Sequence, residues 1–463
     1  MSSGAEPLDA APPDVVVVRG GHVLTMGPAG DLVDAAVAID QRRGAILAVD
    51  GYPRVRAAYP EAPVVGDERD IVVPGFVNAH DHLSEGLISG IGEDLNLYEW
   101  QERLIRPVGP HLNREMARAG TLLKAAEMIR SGITTVNDMF VHANPGSLAS
   151  LGVVDGLEEI GLGGVVCFGA HDIPDPLPTQ ALLEEHEALA ERIAGSSNMV
   201  FRIGIGTIQD QTDKLFEGTV QLAGRHGWRV HTHLAEVREE ITEARLRYGT
   251  NTLGRAIAAG LLELDVIFAH CIWVNEPDIA ELIRHGATIV HNPVSNMILA
   301  SGICPVPRLR AAGIPVALGT DGSGSNDSHD MLQVMKCAVL IQKLHHLDPR
   351  ALTSRDVLAM ATIEGARALR IDDRVGSLEV GKQADVVRFA GDGARLAYVH
   401  DPYQQLVFCA APDDVADVWV AGRRVLADRR LTSADEERIV ADARRLAIDL
   451  ARAADLGGLS AMI

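Results

Sequence analysis

Two hydrophobic rhythms alternate along the chain. From Val15 onward, short β-branched runs (VVVV, HVLTM, AAVAI, AILAV) follow one another, broken by Gly and Asp turn signals. Runs of this kind predict the strands of a small sheet. A second block of the same character begins near Gly381 (ADVVRF, QLVFCA, DVWVAGRRVLA). The two blocks are expected to share one small sandwich. Residues 433–454 carry apolar positions at helical spacing among many Arg, Asp and Glu, which predicts a C-terminal helix. The first 13 residues are rich in Ala, Pro and Asp and read as a loose arm.

Between these blocks the rhythm changes. Short β-branched runs alternate with helical patterns, at Phe76–His80, Ile133–Met139, Gly163–Gly169, Phe201–Gly206, Arg229–Leu234, Asp265–Cys271, Ala287–Pro293 and Val316–Asp321. After a longer first connection they recur about every 30 residues, the length of a βαβ unit. Repeated βα units imply a parallel sheet. Eight of them predict an α/β protein with a closed (β/α)8 barrel of the TIM type. The expected division is a barrel over 74–382, with 1–73 and 383–463 forming a composite β-sandwich plus the C-terminal helix. An open doubly wound sheet would want a phosphate-binding fingerprint. GIGTIQ at Gly204 and GLGGVV at Gly161 both miss the third glycine of GxGxxG, and no GxxxxGK[ST] occurs.

Composition narrows the partners. The 463 residues include 63 acidic and 42 basic side chains, a formal net charge of −21. Nucleic acid needs a Lys/Arg surface and is excluded as a partner. The charge gives no support to an anionic membrane surface, and no apolar stretch reaches the ~18 residues of a span. The N-terminus lacks a basic patch followed by an apolar run, so no signal peptide is read there. The five cysteines (Cys167, Cys271, Cys304, Cys337, Cys409) form no CxxC pair. An odd number in a long chain reads as buried thiols in a reducing compartment. A soluble cytoplasmic protein is expected.

The chemistry lies with the histidines. Two HxH pairs occur, His80-Asp81-His82 and His231-Thr232-His233. With 17 histidines in the chain, such spacing arises by chance about as often as not, so position carries the argument. Both pairs end predicted strands, the face of a barrel where catalytic groups collect. Residues i and i+2 of a strand point the same way, so His80 and His82 present two imidazoles to the barrel mouth. The fifth strand ends in His233 with Glu236 three residues on, the sixth ends in His270, and the eighth in Thr320-Asp321. Three neutral imidazoles and one carboxylate (His80, His82, His233, Asp321) suit one Zn²⁺, with Fe²⁺ as the alternative. Such a site makes hydroxide from water at neutral pH. Glu236 is placed to shuttle a proton beside the metal.

Five motifs, PGFVNAHDHL, VHTHLAE, FAHCIWV, HNPVSNMILASG and LGTDGSGSND, resemble the amidohydrolase superfamily, in its branch of aminohydrolases and chlorohydrolases. That branch holds S-adenosylhomocysteine/5-methylthioadenosine deaminases, guanine and 8-oxoguanine deaminases, and s-triazine hydrolases. The likeness runs from about Val15 to the last strands of the small sandwich. It implies His80, His82, His233 and Asp321 as metal ligands, Glu236 as general acid/base, and His270 as the group that orients hydroxide and polarises the substrate. Superfamily members with two metals bridge them through a modified Lys at the end of the fourth strand. From Val141 to Val230 the only lysine here is Lys214, beyond that strand, which favours one metal. The relatives commonly form dimers or larger assemblies, and the resemblance extends that expectation to this chain.

The implied activity is deamination of an amino-substituted N-heterocycle of purine, pterin or triazine type, with release of ammonia. The alternative keeps the site but releases chloride or an alkylamine from an s-triazine. Glu99, in LYEW, aligns with the acidic residue that grips ribose in adenosine-type deaminases. Trp100 is a candidate for stacking on a ring. His142 and His171 follow strands two and three, and His291 and Asn292 end strand seven, where all four face the expected pocket. The chain departs from adenosine-type deaminases after strand four, where it reads Gly206-Thr207-Ile208-Gln209 in place of a GPH-like motif, and after strand three, where it reads CFGAHD without their Arg. Gln209 is then the candidate to read the ring through its amide.

Overall fold

The computed structural model describes residues 14–460; the arm expected over the first 13 residues lies outside them. Eight parallel strands form the barrel, Phe76–Asp81, Ile133–Phe140, Gly163–Ala170, Ile203–Thr207, Val230–Leu234, Val266–His270, Thr288–His291 and Val316–Leu318, each paired with the next. The Asp321 amide donates to the His80 carbonyl at 3.0 Å and joins the eighth strand's exit to the first strand. The second and third strands are buried at every position. That follows from helices outside and packed side chains within, and it explains the unbroken apolar runs. The helices end on simple signals. Asp213–His226, for example, is capped by the Thr212 hydroxyl and stops at Gly227, whose φ of 66° is left-handed.

Three strands differ from expectation for local reasons. The fourth is split into Met199–Phe201 and Ile203–Thr207. Arg202, between them, is wholly buried and donates to the Val230 and Leu369 carbonyls at 3.4 and 3.3 Å. Burial pushes its guanidinium down to about 10. The seventh ends at His291, because Pro293 opens a helix over Pro293–Ile298. The eighth ends at Leu318, and Asp321 adopts a left-handed φ of 66° that no strand continues.

Both ends of the chain meet in one nine-stranded sheet. Its order is Arg430–Leu431, Arg423–Ala427, Val415–Val420, Val386–Phe389, Ile71–Pro74, Val15–Leu24, Asp31–Asp40, Ala45–Gly51, with Val64–Val65 beside Val15–Leu24. The sheet folds back on itself. Ile46 and Lys382 bond backbone to backbone, and the Ala384 amide donates to Gly44. Val16, Val18, Val37, Ile39, Val386 and Trp419 fill the space enclosed. The last helix, Glu436–Ala453, starts at the Asp435 cap and buries Ile439, Ala443, Leu446 and Leu450. It is tied to the barrel helix Arg114–Arg130 by the Arg130–Glu436 ion pair.

Candidate active site

The strand ends bring His80, His82, His233, His270 and Asp321 together at the C-terminal mouth of the barrel. Potential ligand atoms of His80, His82 and Asp321 lie within 4.8 Å of one another, as do those of His80, His233 and His270. The Nδ1–H of His82 donates to the Met139 carbonyl at 2.7 Å, and that of His233 to the Gly206 carbonyl at 2.5 Å. Each neutral ring therefore keeps its lone pair on Nε2. Those two Nε2 atoms face each other at 3.1 Å. His80 Nε2 is buried without a hydrogen-bond partner, 3.3 Å from Asp321 Oδ1.

Burial keeps two of the rings neutral. Burial pushes His80 down to about 4 and His233 well below its ordinary value, with neighbouring histidines adding to the effect. Converging lone pairs beside a carboxylate repel one another unless a cation sits among them. This donor set, with Nδ1 of His82 and His233 tied to backbone and that of His80 to His231, fits a divalent metal.

The carboxyls differ. Asp321 is buried, yet its interactions with His80, His270 and His82 outweigh burial and hold it well below the usual range. It accepts the Ser295 hydroxyl at 2.6 Å. Glu236 is pushed up to about 7 by burial, with Asp321 adding to the shift and His270 opposing it. Its Oε2 lies 3.6 Å from His270 Nε2. His270 donates from Nδ1 to Asn296 at 2.9 Å. Burial lowers its pKa, but Glu236, Asp321 and Asn296 outweigh burial and raise it.

A cavity of about 280 Å³ opens over this cluster. His82, His233, Glu236, His270 and Asp321 line its inner end, and Ile88, Leu97, Ile105, Val108, Leu112 and Leu299 form an apolar wall. At the mouth the polar groups are already paired. Arg247 bonds Glu243 at 3.0 Å, Tyr98 donates to Glu243 at 2.9 Å, and Arg106 lies 3.4 Å from Asp175.

The expected substrate residues divide. Trp100, His142 and His171 line the cavity. The Trp100 indole donates to the Gly324 carbonyl at 2.7 Å. His142 bonds Glu185 through Nε2 at 2.9 Å and accepts the Asn144 amide on Nδ1, so both its nitrogens are engaged. His171 keeps a buried Nδ1 without a partner. Glu99 does not line the cavity. It is exposed and closes a capping box with Asn96, so its carboxyl serves the helix start. Gln209 is buried outside the cavity lining, its carbonyl holding Arg247 and Tyr248. His291 and Asn292 are likewise buried and outside the lining, with Asn292 Nδ2 3.5 Å from His270 Nε2; the helix that starts at Pro293 sets Ser295 on Asp321 and Asn296 on His270. Lys214 is exposed on the helix Asp213–His226.

Four residues of the site went unassigned in the sequence. His231 faces His80, Nε2 to Nδ1 at 3.0 Å; its i, i+2 spacing from His233 was the available signal. Ser295 and Asn296 are set by a helix whose start depends on Pro293. Glu85, three residues after His82, lines the cavity.

The amidohydrolase family model matches residues 71–425. The chain belongs to the amidohydrolase family. This amidohydrolase is 31% identical over 437 residues to 5'-deoxyadenosine deaminase of Methanopyrus kandleri, covering 94% of this chain and 99% of that one. Among solved structures it superposes on a zinc-bound adenosine deaminase from Xanthomonas campestris with a TM-score of 0.88 and 30% identity, covering 94% and 98% of the two chains. Atrazine chlorohydrolase from Arthrobacter aurescens, complexed with zinc, gives a TM-score of 0.85 at 25% identity, covering 93% and 100%. No helix among the described residues is long and apolar enough to cross a membrane.

Proposed function

We propose that the protein is a single-metal aminohydrolase that converts an amino-substituted N-heterocycle to its oxo form and releases ammonia. The observation that carries this reading is the pair of Nε2 lone pairs of His82 and His233 facing each other at 3.1 Å beside Asp321. His80, His82, His233 and Asp321 would hold the ion, with zinc favoured by three imidazoles and one carboxylate and by the zinc-bound relatives. A bound divalent ion acts as a Lewis acid and makes water nucleophilic at neutral pH.

The protein groups then divide the proton work. Asp321 accepts the proton of the attacking water as it adds to the ring carbon that bears the amino group. Glu236, pushed up to about 7 by burial, gives a proton to the adjacent ring nitrogen. His270, held by Asn296, stabilises the oxygen that becomes the oxo group. The amino group leaves as ammonia with the proton Asp321 took, and the proton remaining on the added oxygen returns to Glu236 as the oxo group forms. The five cysteines are all unpaired, which supports a reducing compartment such as the cytoplasm.

The placement of Glu99 outside the cavity, with an apolar wall across from the polar end, keeps a second reading open: hydrolysis of a substituted s-triazine with loss of chloride or alkylamine. Assays of metal-loaded protein against purines, pterins and aminotriazines, scoring ammonia, chloride and alkylamine separately, decide between the two. Ammonia release from at least one ring is expected. Chloride or alkylamine release without ammonia would reverse the assignment.

A further inference from the structure

Three carboxyls border the inner end of the cavity, and the reaction above uses only Asp321 and Glu236. The third, Glu85, sits on the turn Leu83–Glu85 that follows His82 and is 4% exposed. Its Oε2 accepts the Gly324 amide at 2.8 Å, and its backbone carbonyl accepts the Ser323 hydroxyl at 2.9 Å. A Cβ on Gly322 would stand 2.0 Å from Oε2. The loop after the eighth strand is therefore built around this carboxyl. Oε1 has no hydrogen-bond partner among the described residues, and no Lys or Arg there pairs with Glu85. Burying a carboxyl without a cation is costly. A group that only braced the loop would need neither a free oxygen nor a place on the cavity wall, and Glu85 has both.

We propose that Glu85 is a substrate-reading residue, whose Oε1 hydrogen-bonds a polar atom on the ring edge other than the leaving amino group. This rests on the proposed aminohydrolase reading and narrows its substrate class. The ring must carry a second edge nitrogen or oxo group, as purines, pterins and triazines do and a simple aminopyridine does not. Burial, with the Asp321 charge adding to it, pushes the Glu85 carboxyl well above the usual range despite the Gly324 amide. That favours an O–H facing a ring nitrogen or oxo oxygen.

The test is calorimetric binding to the zinc-loaded full-length protein, with adenine, guanine, melamine and the deaza analogues in which one ring nitrogen becomes C–H. Wild type, Glu85→Leu and Glu85→Gln are compared, with melting temperature and zinc content measured for each. The expected result is that one deaza analogue binds wild type at least about tenfold more weakly than its parent, one hydrogen bond's worth. Glu85→Leu should bind parent and analogue equally, and Glu85→Gln, which keeps a hydrogen-bonding head, should retain the discrimination. The proposal is overturned if Glu85→Leu still discriminates, if its affinity falls equally for every ring, or if wild type binds none of them. Binding without any ammonia release would sink the aminohydrolase reading alone, since the binding comparison judges Glu85 without turnover.

Discussion

Replacing His231 with Phe should weaken zinc binding without touching a proposed ligand. His231 is wholly buried and presents Nε2 to His80 Nδ1 at 3.0 Å. For His80 Nε2 to offer a lone pair to a metal, the proton of that ring must sit on Nδ1, and His231 must accept it. Burial and the surrounding histidines push His231 well below its ordinary value, so it is neutral and able to accept. Phe fills a similar volume but accepts nothing. His80 would then either hold an orphaned N–H, at about 1–3 kcal/mol, or move its proton to Nε2 and lose the lone pair. Loss of such an outer partner typically costs about 10–100-fold in metal affinity, or about 1.4–2.8 kcal/mol. Competition against a chromophoric chelator at pH 7 measures this directly. His231→Gln, whose amide oxygen can occupy the place of Nε2, should stay within about threefold of wild type. Equal zinc affinity in wild type and His231→Phe, with both folded by circular dichroism, would refute the reasoning. So would equal losses in the Phe and Gln variants.

Three other outcomes are expected. Glu236→Gln should retain zinc by metal analysis while kcat for ammonia release falls by about 10²–10⁴-fold; full activity would remove Glu236 from the proton work. Glu99→Ala should lower the melting temperature by no more than about 2 °C and leave kcat/KM unchanged, because its carboxyl caps a helix outside the cavity. A large rise in KM would restore it to the substrate. Dialysis against a chelator should abolish turnover and lower Tm, and added Zn²⁺ should restore both. Saturating zinc at about a thousand times its Kd contributes about 4 kcal/mol of stability, and a Tm indifferent to zinc would argue against a bound ion.

The clustering of His80, His82 and His233 was legible because strand ends and period two place it. His80 and His82, and His231 and His233, are paired residues that follow directly from strand alternation, and the barrel brings every strand's C-terminus to one face. The cavity wall was legible only in part, at Trp100, His142 and His171, because the rest depends on where each strand stops. His291 and Asn292 were placed in the pocket by assuming that the seventh strand continues, whereas Pro293 starts a helix and sends in Ser295 and Asn296. Gln209 lies outside the lining too, its backbone carbonyl held by Arg247 and Tyr248, about forty residues downstream. Glu99 is a different case. Asn96-x-x-Glu99 is itself a capping-box pattern, and that local signal predicts its position better than alignment with a ribose-binding acid.

Backbone strain accompanies the turn of His270 and Asp321 away from where strand alternation alone would send them. Ala235, His270, Cys271 and Asp321 all take left-handed φ values, 50°, 71°, 49° and 66°. Non-glycine residues in that region cost roughly 1–3 kcal/mol each, and all four sit at or just past the ends of the fifth, sixth and eighth barrel strands. Neighbouring barrel strands hold them there through the Cys271 amide on Leu234, the Ile272 amide on Ala235 and the Asp321 amide on His80, at 2.9, 3.0 and 3.0 Å. The bends turn His270 and Asp321 into the mouth, where Glu236 meets His270. The same bend at Asp321 carries the chain into Gly322 and Gly324, against which Glu85 lies. The proposed metal site and the proposed ring-reading carboxyl therefore share one strained loop. A substitution that relaxes Asp321 to an extended φ would displace a proposed metal ligand and the seat of Glu85 together, so the two proposed roles are coupled through backbone geometry rather than through contact between the side chains.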